Sequence, residues 1–252
     1  MKKLHFKPDE ILQRLEPSEM GLEFTSVQRI ELLGQRVIES DEEEICLVCI
    51  EGEVEYECAG EKGKAVCKDM LYLPCRTGIT LSASQLAVLI RYGAPSNLDS
   101  QFTHLKFAEI DRNPKTHKVY GKVETNCRRD VWNYIDDDFK ASRLLMGICE
   151  GDPGGWTAWP PHEHAEKREE VYIYFGMFKA FGIQCVYEDM DNPLVVAMVR
   201  NGDLVSVPRG CHPSVGCPAG KISYIYCMVS KKAGDRSFMD LHIQEIYGDT
   251  FE

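Results

Sequence analysis

Two histidines stand two residues apart in Pro160-Pro161-His162-Glu163-His164. A pair of carboxylates, Glu169-Glu170, follows closely, and a further histidine closes Pro208-Arg209-Gly210-Cys211-His212. On an extended segment side chains alternate in direction, so the imidazoles of His162 and His164 project to the same side. A third imidazole and one carboxylate complete a shell of neutral nitrogens and an anionic oxygen. Such a set suits one borderline divalent ion (Zn, Mn, Fe, Co or Ni) and leaves a coordination position for water or a sugar oxygen. Histidine usage supports the reading: the chain has 7 histidines, and two of them share this short stretch ahead of an apolar strand pattern. His212 follows Gly202-Asp203-Leu204-Val205-Ser206-Val207-Pro208, a turn, a β-rich run and a proline stop, which puts it at a strand's end. His242, in Asp240-Leu241-His242-Ile243, lies outside both segments and is read as a structural histidine.

Short β-type runs must carry these side chains. They cover residues 45–50, 54–58, 70–73, 86–92, 171–175, 183–187, 194–199, 204–207 and 222–229, punctuated by glycine, proline and acidic turns. Regular short strands of this kind indicate an all-β sandwich or barrel. Helical signals are few, an amphipathic turn or two over 8–15 and another over 136–145. A weak internal repeat relates the halves. Glu44-Ile45-Cys46-Leu47-Val48 matches Glu170-Val171-Tyr172-Ile173-Tyr174, and Lys68 to Pro74 matches Gly202 to Pro208. Two related barrels follow, over residues 1–120 and 121–252. No HxH precedes Glu44, and Gly78 stands where His212 stands in the second copy, so the metal site is expected in the C-terminal barrel alone.

Composition bounds the rest. With 252 residues and 44% hydrophobic side chains the chain can bury a substantial core. A formal net charge of -11 excludes a phosphate backbone as partner, because nucleic-acid binders need a basic stripe. No apolar run has the length of a membrane span, and Met1 to Pro8 lacks a signal-peptide core, so a cytoplasmic protein with no membrane partner is expected. The 11 cysteines sit mostly in apolar runs and read as buried thiols. Cys46 and Cys49 are three apart on a strand and therefore face opposite ways.

The pair PxHxH…E and GDxxxVPxGxxH resembles the two signature motifs of the cupin superfamily. This implies a two-barrel cupin (double-stranded β-helix, jelly-roll-like) with few short helices. More closely, residues 151–164, Glu169 to Phe175, Phe181 to Tyr187 and Val207 to Pro213, preceded by Arg128-Arg129-Asp130-Val131-Trp132-Asn133 and Ser142 to Gly147, resemble the 5-deoxy-glucuronate isomerase family of inositol catabolism. Its sister family, the 4-deoxy-L-threo-5-hexosulose-uronate isomerases of pectin breakdown, shares the metal pattern. The resemblance runs from about residue 120 to 230. It implies His162, His164, His212 and one glutamate as metal ligands, with Glu170, directly before the Val-Tyr strand, preferred to Glu169.

The implied reaction is an aldose–ketose isomerisation of an open-chain deoxy-uronate. Negative charge grows on the carbonyl oxygen, and a divalent ion meets that need as Lewis acid and template. With Glu170 facing inward, Tyr172 and Tyr174 share its face and offer phenols to sugar hydroxyls or to a proton relay. A substrate carboxylate calls for a two-pronged donor, with Arg209, Arg143 and Arg128 as candidates, and Gln184 is a candidate hydroxyl partner. Other readings of the same shell are an Fe or Mn oxygenase and a sugar-binding cupin without catalysis. A homo-oligomer is expected, with the first barrel as scaffold.

Overall fold

A computed structural model describes residues 2–164 and 167–248. The chain is almost entirely β. One sheet is built from residues 26–105: Glu61–Val66, Glu53–Cys58, Gly78–Pro95, Glu43–Glu51, Met70–Leu73 and Thr103–Leu105 in spatial order, with Ser26–Glu39 added on Gly78–Pro95. A second sheet joins Leu204–Val207, Arg168–Tyr174, Ile222–Ser230, Leu144–Gly151, Arg129–Ile135 and His117–Tyr120, and the N-terminal His5–Phe6 pairs with its Leu204–Val207 edge. A smaller sheet of Trp156–Thr157, Ser214–Gly216, Gly182–Val186 and Val195–Val199 packs against that second sheet.

Alternation assigns the two faces of each central strand to different cores. Val171, Ile173 and Phe175 join Cys46, Val48, Tyr72, Ile90 and Tyr92 in an apolar layer shared by the two halves, whereas Tyr172 and Tyr174 face the interior of the second half. Ile45 and Leu47 face the interior of the first half. Ile45 pairs with Leu73 as Glu170 pairs with Val207, so Ile45 is the counterpart of Glu170, and Glu44 that of Glu169. The repeat read from the sequence is therefore one residue out of register on this strand, because both halves carry a buried glutamate there and a one-residue slip exchanges faces.

Two expected features differ, and one long strand was not expected. Residues 136–143 form bends and turns rather than a helix. The Asp136 carboxylate accepts from the amides of Asp138 and Phe139, and the Arg236 guanidinium gathers the carbonyls of Asp136, Phe139, Ala141 and Leu144. The strand expected over 86–92 extends to Gly78–Pro95. Ser26–Glu39 is a long strand whose apolar alternation is interrupted where the register shifts between Leu32 and Gly34, the latter at φ +89°. The short helix Phe107–Arg112 links the halves, and the helical turn near the N-terminus is a 3-10 turn, Pro8–Ile11.

Candidate metal centre and adjoining cavity

The second sheet offers its inner face in cross-strand rows. Tyr172, Tyr226, Gly147 and Asn133 form one row, and Tyr174, Tyr224, Cys149 and Val131 the next. Gly147 is required by close approach: a Cβ there would lie 2.1 Å from the Tyr226 hydroxyl, which crosses over it to donate to Asn133 Oδ1. Tyr172 stacks on Tyr224 with ring centres 4.5 Å apart. Tyr172 and Tyr226 of the first row and Tyr224, Cys149 and Val131 of the second line a cavity that is partly open to solvent. Phe238, Met239 and Leu241, from the segment after Ile222–Ser230, cover one side.

At one end of this cavity His162, His164 and His212 converge, all buried, with donor atoms within 4.8 Å of one another. His162–Glu163 is a two-residue strand paired with His242–Ile243, which fixes the first imidazole. His212 comes from the turn after Leu204–Val207. Gly210 in that turn has φ +86° and no room for a Cβ, which would meet Tyr187 O at 2.5 Å. His162 Nδ1 is 2.8 Å from Pro160 O and His212 Nδ1 is 3.0 Å from Gly210 O, contacts that place the ring proton on Nδ1 and present Nε2 as the lone-pair nitrogen. Glu170 Oε2 lies 3.1 Å from His164 Nε2 and 3.0 Å from His212 Nε2.

The electrostatics agree with a cation site. Burial, and then the neighbouring His212 and His164, push the His162 imidazole well below its ordinary value, and burial also lowers His164, so both are neutral donors. Burial opposes the charge of Glu170, but the attraction of His212 and the hydrogen bond from His164 outweigh it and hold the carboxyl far below its usual range. His164 Nδ1 and His212 Nε2 are buried without a hydrogen-bond partner. Orphaned imidazole nitrogens grouped with a buried carboxylate are what a divalent ion satisfies, so the residues present fit such an ion.

Glu169 points the other way. Its carboxylate accepts from the backbone amides of Glu23, Phe24 and Thr25 at 2.7, 2.9 and 2.7 Å and from the Thr25 hydroxyl at 2.6 Å, which anchors the first half of the chain. Tyr172 lines the cavity. Tyr174 does not: its hydroxyl donates to Gln184 Oε1, and Gln184 in turn donates to His212 O at 2.6 Å. Gln184 and Tyr174 therefore brace the His212 turn rather than meet a ligand.

None of the three arginines chosen from sequence lines the cavity. Arg209 is exposed and paired with Glu188, because its turn projects outward. Arg128 pairs with Asp130 and Asp152. Arg143 donates to the carbonyls of Pro95, Ser230 and Lys231 and stacks over Phe24 at the junction of the halves. The cavity arginine is Arg129, whose face along Arg129–Ile135 it shares with Val131. Strand alternation separates it from Arg128, so the signal lay in which of the two neighbours shared a face with apolar residues. Tyr224, Tyr226 and Cys149 were legible in the same way, as alternate residues of inward-facing runs. His242 is exposed. Cys46 lies in the layer between the halves, and burial raises the thiol of Cys49 to about 12, so neither is a reactive thiolate. Among the described residues no helix is long and apolar enough to cross a membrane.

Comparison with known proteins gives the same picture. An IolB-like protein from Salmonella typhimurium LT2 superposes with a TM-score of 0.82 at 22% identity, covering 98% of both chains. A Lactobacillus farciminis oxalate decarboxylase follows at 0.63 and 13%, covering 92% of this chain and 87% of that one. A cupin 2 conserved barrel domain protein from Leptotrichia buccalis reaches 0.53 at 16%, covering 82% and 86%. These likenesses establish a cupin fold. In sequence, the chain is 27% identical over 235 residues to the 5-deoxy-glucuronate isomerase of Lacticaseibacillus casei, 85% of this chain and 84% of the relative. It is 30% identical over 165 residues to that of Shouchella clausii, 62% of this chain and 58% of that relative's length. The 4-deoxy-L-threo-5-hexosulose-uronate ketol-isomerase 2 of Rhizobium meliloti is 24% identical over 197 residues, 76% of this chain and 66% of the relative. The model of one family spans residues 1–245, the first half as well as the histidine-bearing second, and by that match the chain belongs to the KduI/IolB family.

Proposed function

We propose that this protein is a metal-dependent aldose–ketose isomerase of deoxy-uronates, converting 5-deoxy-glucuronate to 5-dehydro-2-deoxy-gluconate in inositol catabolism. The observation that carries the reading is the convergence of three buried imidazoles and Glu170 at one end of a cavity lined by tyrosines and Arg129, in a chain of this family. His162, His164, Glu170 and His212 would hold one divalent ion. Bound there, the ion would supply Lewis-acid polarisation of the carbonyl and a template for the neighbouring hydroxyl. The reaction moves hydrogen from C2 to C1 and a proton from the C2 hydroxyl to the C1 oxygen, with no net change in composition. Tyr172, Tyr224 and Tyr226 ring the cavity, and burial raises all three phenols. They are therefore neutral hydrogen-bond partners for sugar hydroxyls that exclude bulk water from the reacting carbons.

The first half is proposed to be a scaffold barrel. Ile45 stands at the position of Glu170, and the interior around it is apolar. Cytoplasmic placement and self-association belong to the same reading, the latter supported by the exposed Val196 and Met198 on the edge strand Val195–Val199.

The test is to follow 5-deoxy-glucuronate labelled with ¹³C at C1 by NMR. The aldehyde carbon should become a hydroxymethyl carbon as a ketone appears at C2. A label that stays at the aldehyde level with metal-loaded protein would overturn the reading. A parallel sample of 4-deoxy-L-threo-5-hexosulose-uronate separates the two activities named among the relatives.

A further inference from the structure

We infer that Arg129 fixes the carboxylate of the bound sugar acid and so sets a preference for uronates over neutral sugars. The inference rests on the isomerase reading above and adds the group that selects the substrate class. Arg129 is 4% exposed and lines the same cavity as the histidine cluster. Its Nη1 donates to Cys127 O at 3.0 Å and its Nη2 to Trp159 O at 2.6 Å, while its guanidinium lies 5.5 Å from the centre of the Tyr120 ring. These contacts orient the fork and leave its charge intact, because carbonyls and a phenol ring are neutral.

Among the described residues Arg129 takes part in no ion pair, in contrast to its neighbour Arg128, which has two carboxylate partners. Among the described residues the one carboxylate in the cavity lining, Glu170, is engaged by His164 and His212. A guanidinium has five N–H donors, and the two carbonyls account for one on each terminal nitrogen, so the Nε–H and further terminal hydrogens remain. A buried cation without a counter-charge is costly, and an anionic ligand removes that cost. In an open-chain uronate the carboxylate lies at the opposite end from the reacting carbonyl. A ligand held by its carboxylate at Arg129 therefore has its carbonyl end free for the histidines that line the same cavity. Arg209, Arg143 and Arg128 cannot do this, since they lie outside the cavity.

The experiment compares wild type, Arg129→Lys and Arg129→Met on 5-deoxy-glucuronate and on 5-deoxy-glucose, which has the same carbonyl end and no carboxylate. The readout is the ratio of the two kcat/KM values, with metal content and melting temperature recorded for each variant. The expected result is a wild-type preference for the uronate that collapses by about 100-fold or more in Arg129→Met, mainly through KM, and is partly restored in Arg129→Lys. A ratio that stays the same in Arg129→Met, with both substrates slowed alike, would show a purely structural arginine and overturn the inference. If wild type turns over neither sugar, the isomerase reading fails by itself, and the inference is read from tyrosine fluorescence during titration with D-glucuronate and D-glucose. Glucuronate binding that is lost in Arg129→Met then supports it. Equal binding of both sugars, or of neither, contradicts it.

Discussion

Glu169 and Glu170 are adjacent on Arg168–Tyr174, and their carboxylates work on opposite sides of the sheet. Glu170 meets two imidazoles inside the barrel, while Glu169 caps three backbone amides of residues 23–25. Glu44 repeats the second arrangement across the junction, accepting from the amides of Ser142, Arg143 and Leu144 at 2.7, 2.6 and 3.0 Å. The two halves are thus clamped reciprocally, each by a glutamate of its own central strand on the segment that leads into a long strand of the other half.

This relationship separates two substitutions of one residue type. Glu169→Ala leaves three amides and a hydroxyl without their acceptor and should destabilise the protein by about 3 kcal/mol or more while metal content stays at wild-type level. Glu170→Gln should retain the fold and lose the ion, with an affinity deficit larger than the roughly 10–100-fold that follows loss of an outer partner. Chemical denaturation and elemental analysis of the two variants check this. The pattern reversed, with Glu169→Ala losing metal, would contradict the assignment.

Ile45 occupies the place of Glu170 in the first half, surrounded by Leu47, Leu71, Leu73 and Leu89. Ile45→Glu should bury a carboxylate with no counter-charge and lower stability by several kcal/mol. No ion should be gained, because no histidine stands at the places of His162 and His164. Denaturation midpoints and metal stoichiometry read both outcomes.

Most of the site was legible in the sequence for a simple reason: ligands on alternating strands and at strand ends keep fixed local spacing, so His162, His164 and His212 declare themselves. Which of two adjacent glutamates, or of two adjacent arginines, faces inward depends on register, and register is set by partners distant in sequence. Glu169 and Glu170 both sit beside apolar residues, so the sequence preferred Glu170 through the family resemblance, and the pairing with Leu204–Val207 and the capped amides at 23–25 are what separate them physically. For the same reason Arg128 stood among the arginine candidates while its cavity-facing neighbour Arg129 did not. Ser26–Glu39 was missed because its bulge breaks the alternation that marks a strand.

Asp203 and Asp69 are counterparts at the turns before Leu204–Val207 and Met70–Leu73. Each meets a histidine of the strand added to that edge: His5 Nε2 at 2.9 Å and His104 Nε2 at 3.0 Å. Burial would raise the Asp203 carboxyl, but hydrogen bonds from His5 and Lys7 outweigh it and hold it below its ordinary value. A depressed folded-state pKa contributes stability above the unfolded value of 3.8, and that contribution is lost as pH falls through the folded value. Asp203→Asn should therefore be less stable than wild type at about neutral pH, by roughly 1.5–3 kcal/mol, with the gap closing in acid. Urea midpoints measured across the acid range check it; a gap that persists undiminished would contradict it.

Gly147 lies beneath the Tyr226 hydroxyl and close to Trp132 O, 2.2 Å from where a Cβ would stand. Gly147→Ala should displace the Tyr226–Asn133 hydrogen bond, cost about 1–3 kcal/mol, and alter the cavity wall at Tyr226. Thermal melting together with substrate KM measures both effects; a neutral melt and an unchanged KM would contradict the packing described.

The dependence of turnover on a single ion held by His162, His164, Glu170 and His212 is tested most directly by reloading metal-stripped protein in steps and plotting the initial rate of 5-deoxy-glucuronate isomerisation against bound metal. The expected plot rises linearly from near zero and levels off at one equivalent, and it stays flat for His212→Ala. Full activity with no bound metal, or none at any loading, would contradict it.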